Sequence, residues 1–403
     1  MMDEARPLRQ TRRDGLKLMA GLVALFLSGA AVRHRSRNDP TTTTPTLRRR
    51  YSRDEDAAWS AFKKQFARSY ASVDEEEERR SYFHQRMREL DALNEKNGEP
   101  VFGINRWADR NPGTHAYARG REGMGYVPDE YKVLDLDAWK AQRRTLLGAN
   151  FSNGVVDWRR VNGVLTPVKN QGQCGSCWAF STAEQIESQL VLAGAATVDL
   201  SAQQINSCTN VRGCCDGCGG GDTVAAYEYL TSVVGLAPDA YWPYIQGLTP
   251  EFECTSSGCT APCATKLVDL VRDYVYIGPY AKVTDYAYSI APCFDDCRHQ
   301  SLSTLAAAVE NMPVSVCLNA ANWDDYVGGV MTVETCGGYA YDDLDHCVQL
   351  VGYNNATDSA YWIVRNSWST DWGEDGYIRL AFDANTCGLA NEPTVAVVEV
   401  GGP

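Results

Sequence analysis

The chain has 403 residues, 44% of them hydrophobic, and a formal net charge of −13 at pH 7. That is ample apolar material for packed cores in two or three modules, which sets aside a fibrous or wholly disordered chain. The acidic balance also argues against nucleic acid as a partner, because phosphate binding needs a basic surface.

Four arginines, Arg6, Arg9, Arg12 and Arg13, precede an apolar run from Leu18 to Val32 in which Ser28 and Ala30 are small enough for signal-peptidase cleavage. Residues 1–32 therefore read as a signal peptide or, left uncut, a signal anchor; a membrane is a partner only in the second case. Residues 33–50, with Thr41–Thr44 and Arg48–Arg50, read as a disordered spacer. The expected destination is the secretory pathway, ending in a lysosome, an acidic vacuole or the extracellular space.

The 15 cysteines suit an oxidising compartment, and their odd number leaves at least one thiol unpaired. None precedes Cys174. The chain thus divides near residue 150 into a cysteine-free module, 51–150, and a cysteine-rich one, 151–403. Sequons at Asn150 and Asn355 agree with export.

In the first module Trp59, Phe62, Phe66 and Tyr70 recur at helical spacing. A second helix is expected from Asp74 to Lys96, with acidic residues in its first turns and Phe83, Met87, Leu90 and Asn94 along one face. The following "VFGINRWAD" suits a short strand with a polar turn. In the second module "CWAFSTAEQIESQLVLAG" reads as a long helix closed by Gly194. From Pro313 onward, "PVSVCL", "CVQLVGY", "AYWIVRNSW" and "DGYIRLAF" read as strands. Helices first and strands second predict an α+β module of two subdomains with a cleft between them.

"QGQCGSCWAF" places two cysteines three apart before the long helix. A metal site would need further ligands, and beyond residue 150 only His299 and His346 are histidines, so no metal is expected. A nucleophile would gain from a helix N-terminus, which stabilises a thiolate. Attack on an amide also needs an imidazole, a group to orient it and donors for the oxyanion. His346 in "DHCVQLVGY", Asn366 in "NSWSTDWGEDGY" and Gln171 are candidates for those three tasks.

These three segments, in this order, resemble the papain-like cysteine proteases. The resemblance implies a helical left subdomain, a β-barrel right subdomain, no cofactor, and protein or peptide substrates. It assigns Cys177 as nucleophile, His346 as acid/base, Asn366 as its orienter under Trp368, and Gln171 with the Cys177 amide as the oxyanion hole. By the same resemblance Cys174 pairs with Cys218, Cys208 with Cys254, and Cys336 with Cys387. Connectivity of the other eight, Cys214, Cys215, Cys259, Cys263, Cys293, Cys297, Cys317 and Cys347, is not fixed by the family pattern.

Gly220, Gly221, Asp222, Thr223, Cys317, Cys347, Trp368 and Glu392 fall at substrate-binding positions of the family. Cys317 and Cys347 would form a disulfide narrowing the second pocket, or stand as two buried thiols. Aligned as in cathepsin B, Glu392 sits at the base of that pocket and would accept Arg or Lys; aligned as in cathepsin L, it leaves the pocket.

The first module is similar to cathepsin L-type propeptides. Glu75, Arg79, Phe83, Leu90 and Asn94 match one motif, with Arg86 replacing its middle Asn, and Gly103, Asn105, Trp107 and Asp109 match the second. It implies a helical, intramolecular inhibitory propeptide. Protonation of a buried carboxylate such as Asp109 would then favour acid activation. The implied function is a zymogen endopeptidase. A cathepsin B-like exopeptidase stays open, although the inserted segment from Cys254 to Cys297 has no His-His pair, and so does a catalytically silent binding protein.

Overall fold

The computed structural model describes residues 54–112, 114–115, 119–121, 125–142, 151, 153–211, 214–215, 217–247, 281–295, 297–382 and 384–400. The leader, the spacer, the Asn150 sequon and Cys254, Cys259 and Cys263 lie outside them.

Helix α1, Glu55–Gln65, is capped by Asp54, whose carboxylate accepts the amides of Asp56 and Ala57, both at 3.0 Å. Helix α2, Val73–Asn97, is capped by Ser72 and ends at Gly98, whose φ of 79° is the left-handed conformation that glycine adopts without strain. Its bounds match the expected ones to within a residue. Helix α1 is shorter than its aromatic spacing suggests. Ala67 turns out of the helix at φ 49°, yet Phe66 and Tyr70 still pack on the cluster of Trp59, Phe62, Phe83, Met87 and Ala108. That cluster is the first module's own small core. Asn94 ties it to the following chain, accepting the Val101 and Phe102 amides at 2.8 Å and donating to the Phe102 carbonyl at 2.9 Å. The expected strand in "VFGINRWAD" is a single bridge, Phe102 with Tyr326, followed by a turn. A short helix α3, Leu136–Gln142, completes the module.

The second module opens with β1, Val155–Asp157, then α4, Cys177–Leu192, α5, Ala202–Cys208, and α6, Thr223–Ser232. All residues of α4 from Cys177 to Val191 are buried, so it is a central core helix, apolar and polar faces alike. The chain leaves it through Gly194 at φ 94°. Strands β2, Ala281–Tyr288, β3, Val314–Leu318, β4, Val330–Met331, β5, His346–Asn354, β6, Tyr361–Arg365, β7, Tyr377–Ala381, and β8, Thr394–Val400, follow, with helix α7, Leu302–Val309, before β3. The sheet order is β2-β8-β3-β5-β6-β7-β4, with β1 on β5. The strand-rich half is thus one mixed sheet with α4 packed on it.

Cys174–Cys218 and Cys336–Cys387 form as expected, and Cys208 is disulfide-bonded. Cys293–Cys297 adds a local bridge. Cys317 and Cys347 stand opposite each other in the antiparallel β3–β5 register and form a disulfide, which resolves the two readings left open for them. Among the described residues, no helix is long and apolar enough to cross a membrane, and no cluster of three or more His, Cys, Asp or Glu side chains suits a metal ion.

Candidate active site

Cys177 is the first residue of α4 and His346 the first of β5. The loop carrying Asn366 follows β6. Two element ends and a loop therefore converge, and short-range positioning comes from rigid backbone. The Ser176 side chain makes no cap hydrogen bond. The helix-terminal amide dipoles therefore act on the thiol without a side-chain cap between them. The Cys347 amide donates to Cys177 Sγ at 3.4 Å, so the residue directly after His346 touches the thiol.

Asn366 Oδ1 lies 2.8 Å from His346 Nε2 and also accepts the Ser367 amide at 2.8 Å. A carboxamide oxygen only accepts, so the Nε2 nitrogen carries the proton and Nδ1 is left as the base. Nδ1 has no hydrogen-bond partner. The Trp368 ring lies 4.7 Å from the imidazole, and Trp323 meets it edge-on at 6.0 Å, so both rings keep water from the Nε2 bond. Gln171 is held at both ends: Oε1 accepts from the Ser367 hydroxyl at 2.6 Å and Nε2 donates to the Cys174 carbonyl at 2.9 Å.

Cys177, His346, Asn366 and Gln171 are all 0% exposed. That burial pushes the Cys177 thiol up to about 11 and the His346 imidazole down to about 3. The pair is neutral as long as the cleft is covered.

The cover is the first module. Gly120 lies against Cys177, its amide directed at the sulfur and its carbonyl accepting the Gly221 amide at 2.7 Å. A Cβ at Gly120 would overlap the Gly175 carbonyl, so only glycine permits this approach. The Arg121 amide donates to the Asp345 carbonyl at 3.0 Å, and Arg119 pairs with the Asp345 carboxylate at 3.0 Å. Farther along, the chain docks on residues 324–335. Gly103 donates to the Asp325 carbonyl, Val327 donates to the Val101 carbonyl, and Arg86 pairs with Asp325 at 3.1 Å.

Asp222 and Glu392, both 0% exposed, face the Arg121 side chain. Asp222 also caps α6 through the Val224 amide. Gly221 packs under the Trp178 ring where a Cβ would not fit, and Gly220 has φ 125°. Thr223 lies 3.4 Å from Thr394, hydroxyl to hydroxyl. The structure thus brings together the sequence candidates. What sequence reasoning missed is Gly120, Arg121 and Asp325; the "RGREG" stretch has no periodicity to mark it, and their partners lie up to 271 residues away.

Residues 153–397 match the family described as papain family cysteine protease, and residues 59–113 match the cathepsin propeptide inhibitor domain (I29). A cysteine proteinase of Trypanosoma brucei brucei is 34% identical over 84% of this chain, which spans 66% of that protein's length. A cathepsin L-like proteinase of Phaedon cochleariae is 34% identical over 84% of this chain and 93% of its own. Digestive procathepsin L2 from the Tenebrio molitor larval midgut superposes with a TM-score of 0.63 at 29% identity, covering 85% of this chain and all of the other.

Proposed function

Since the chain belongs to the papain family of cysteine proteases and carries a cathepsin-type inhibitor domain in the same polypeptide, we propose that it is a zymogen endopeptidase whose nucleophile is Cys177. The observation that carries this reading is the imidazole of His346, fixed through Nε2 by Asn366 with Nδ1 left open, on the residue directly before the one whose amide reaches the Cys177 sulfur.

In the uncovered cleft the thiol proton passes to His346 Nδ1 and the sulfur adds to the scissile carbonyl carbon. The Cys177 amide and the Gln171 carboxamide donate to the resulting oxyanion. His346 returns the proton to the leaving amine, and a thioester forms. Water, deprotonated by the same nitrogen, then hydrolyses that thioester and restores the thiol. The indole of Trp368 keeps the His346–Asn366 bond dry throughout.

The mature domain begins near residue 150, between the two matched segments. Export to an acidic or extracellular compartment fits the disulfides and the exposed sequon at Asn355. The test is to process the proenzyme, treat it with an epoxide that alkylates activated cysteines and read the modified peptide by mass spectrometry. A single label on Cys177, appearing only after loss of the first module, is the expected result. Absence of that label after processing would overturn the assignment in favour of a silent binding protein.

A further inference from the structure

We propose that Arg365 is a positioning residue: its guanidinium ties together the four chain segments that carry Cys177, His346, Asn366 and Gln171, and so sets the reach between thiol and imidazole. This rests on the peptidase reading above and adds a residue to it.

Arg365 closes β6 directly before Asn366 and is fully buried. It stands opposite Gln349 in the antiparallel β5–β6 register, and Gln349 follows His346 by three residues on the same strand. One terminal nitrogen of the guanidinium donates to Gln349 Oε1 at 3.2 Å. The other donates to the Thr166 hydroxyl at 2.9 Å and to the Pro167 carbonyl at 2.6 Å, and it pairs with Glu184 Oε1 at 3.1 Å. Each of these partners leads to a different functional group. Thr166 and Pro167 begin the run of chain into Gln171. Glu184 comes seven residues after Cys177, two turns along α4 and therefore on the same face of that helix. Gln349 is sewn to α4 as well, its amide nitrogen donating to the Glu184 carbonyl and the Ser188 hydroxyl, both at 2.9 Å.

Packing alone does not call for this group. A well-packed apolar side chain of similar volume is commonly as stabilising as a buried ion pair, whose attraction is offset by the desolvation of both charges. What the guanidinium adds is direction, because its planar fork holds acceptors on separate segments at fixed angles to one another. The neighbouring charges have their own circuit. Lys169 faces Glu187 at 3.0 Å and Asp199 at 2.7 Å, while Glu187 accepts from the Thr166 hydroxyl at 2.6 Å and the Leu200 amide at 2.7 Å. Arg365 and Glu184 can therefore be neutralised together, leaving the local charge balance as it was. The geometry is what such a change removes, and a misplacement of about 1 Å set up far from the chemistry can cost about 10²-fold in rate.

The experiment compares the unaltered enzyme with the double variant Arg365→Met, Glu184→Met, each made as the full chain and processed by pepsin, so that maturation does not depend on its own activity. Active sites are counted by the end point of epoxide labelling at Cys177. The double variant is expected to melt no earlier than the unaltered enzyme and to label fully, with kcat per labelled site on one peptide lower by about tenfold or more and KM unchanged. A stable double variant whose kcat per site is unaltered, or whose KM rises while kcat holds, overturns the positioning role. If the double variant does not fold, Arg365→Lys decides: it keeps a cation beside Glu184 without the fork. Its kcat per site should fall at constant KM, and an unaltered kcat overturns the proposal. No label on the unaltered, processed enzyme overturns the peptidase reading itself, and the role of Arg365 falls with it.

Discussion

In the mechanism we propose, Asn366 does one thing for His346: it holds the proton on Nε2 and so leaves Nδ1 to receive the thiol proton. Asn366→Ala should lower kcat/KM by about 10²-fold or more, the usual scale of a positioned acid/base. Gln171→Ala should cost about 10²–10³-fold, mostly in kcat, because an oxyanion donor acts in the transition state; steady-state kinetics on one peptide separates the two. The thiol and imidazole also predict a pH behaviour. Burial raises Cys177 to about 11 and lowers His346 to about 3, so the covered pair holds its single proton on sulfur. Once uncovered, a helix N-terminus and an adjacent imidazolium favour the thiolate, and the same proton sits on nitrogen. Uncovering therefore moves a proton without binding one. Alkylation of Cys177 should rise sharply on processing and then vary little between about pH 5 and 8. A steep rise through about pH 8.5, as for a free thiol, would contradict this.

At the scale of elements, the first module is fastened by the end of α2 as well as by its extended tail. Asn97 Oδ1 accepts from the Thr332 amide at 2.8 Å and from the Thr332 and Thr335 hydroxyls at 3.1 Å, and its amide donates to the Val330 carbonyl. Asn97→Ala leaves a Thr332 amide without its acceptor in a buried site, at a cost of about 1–3 kcal/mol. Proenzyme processing followed by gel electrophoresis should accelerate accordingly. Gly120→Ala should also speed processing, because its methyl group collides with the Gly175 backbone. These fastenings explain what could be read in advance. Strands β3, β5, β6 and β7 stand out because β-branched and aromatic runs have a local cause, and α2 because its cap, its face and its glycine stop agree. Helix α1 reads too long because Phe66 and Tyr70 keep the spacing while Ala67 has already left the helix. The Cys317–Cys347 bridge follows from strand register, which spacing in the chain does not reveal.

For the molecule as a whole, the expectation of acid activation turns on carboxyl groups of the second module that face arginines of the first. Burial raises Asp325 to about 7, partly offset by Arg86, and raises Glu392 to about 8, partly offset by Arg121. The arginines that the first module brings, Arg86 and Arg121, each favour the ionised form of the carboxyl they face. Within the first module Asp109, 5% exposed, accepts from the Tyr70 hydroxyl at 2.9 Å and faces Arg68 at 3.3 Å. Asp109→Asn should speed processing at neutral pH. Asp325→Asn should speed processing as well, read by gel electrophoresis, since Arg86 then loses its charge partner on the second module. The catalytic constellation was legible because its chemistry demands particular residue types in particular contexts. The docking chemistry was not, because Arg86, Gly120 and Arg121 acquire meaning only through partners far along the chain.

The salt bridge from Arg121 to Glu392 has an evolutionary corollary. Both partners are encoded in one gene, so a mutation at Glu392 also loosens the cover over Cys177. Drift at Glu392 is tolerable only with a matching change at Arg121. The two positions should covary among descendants of this sequence.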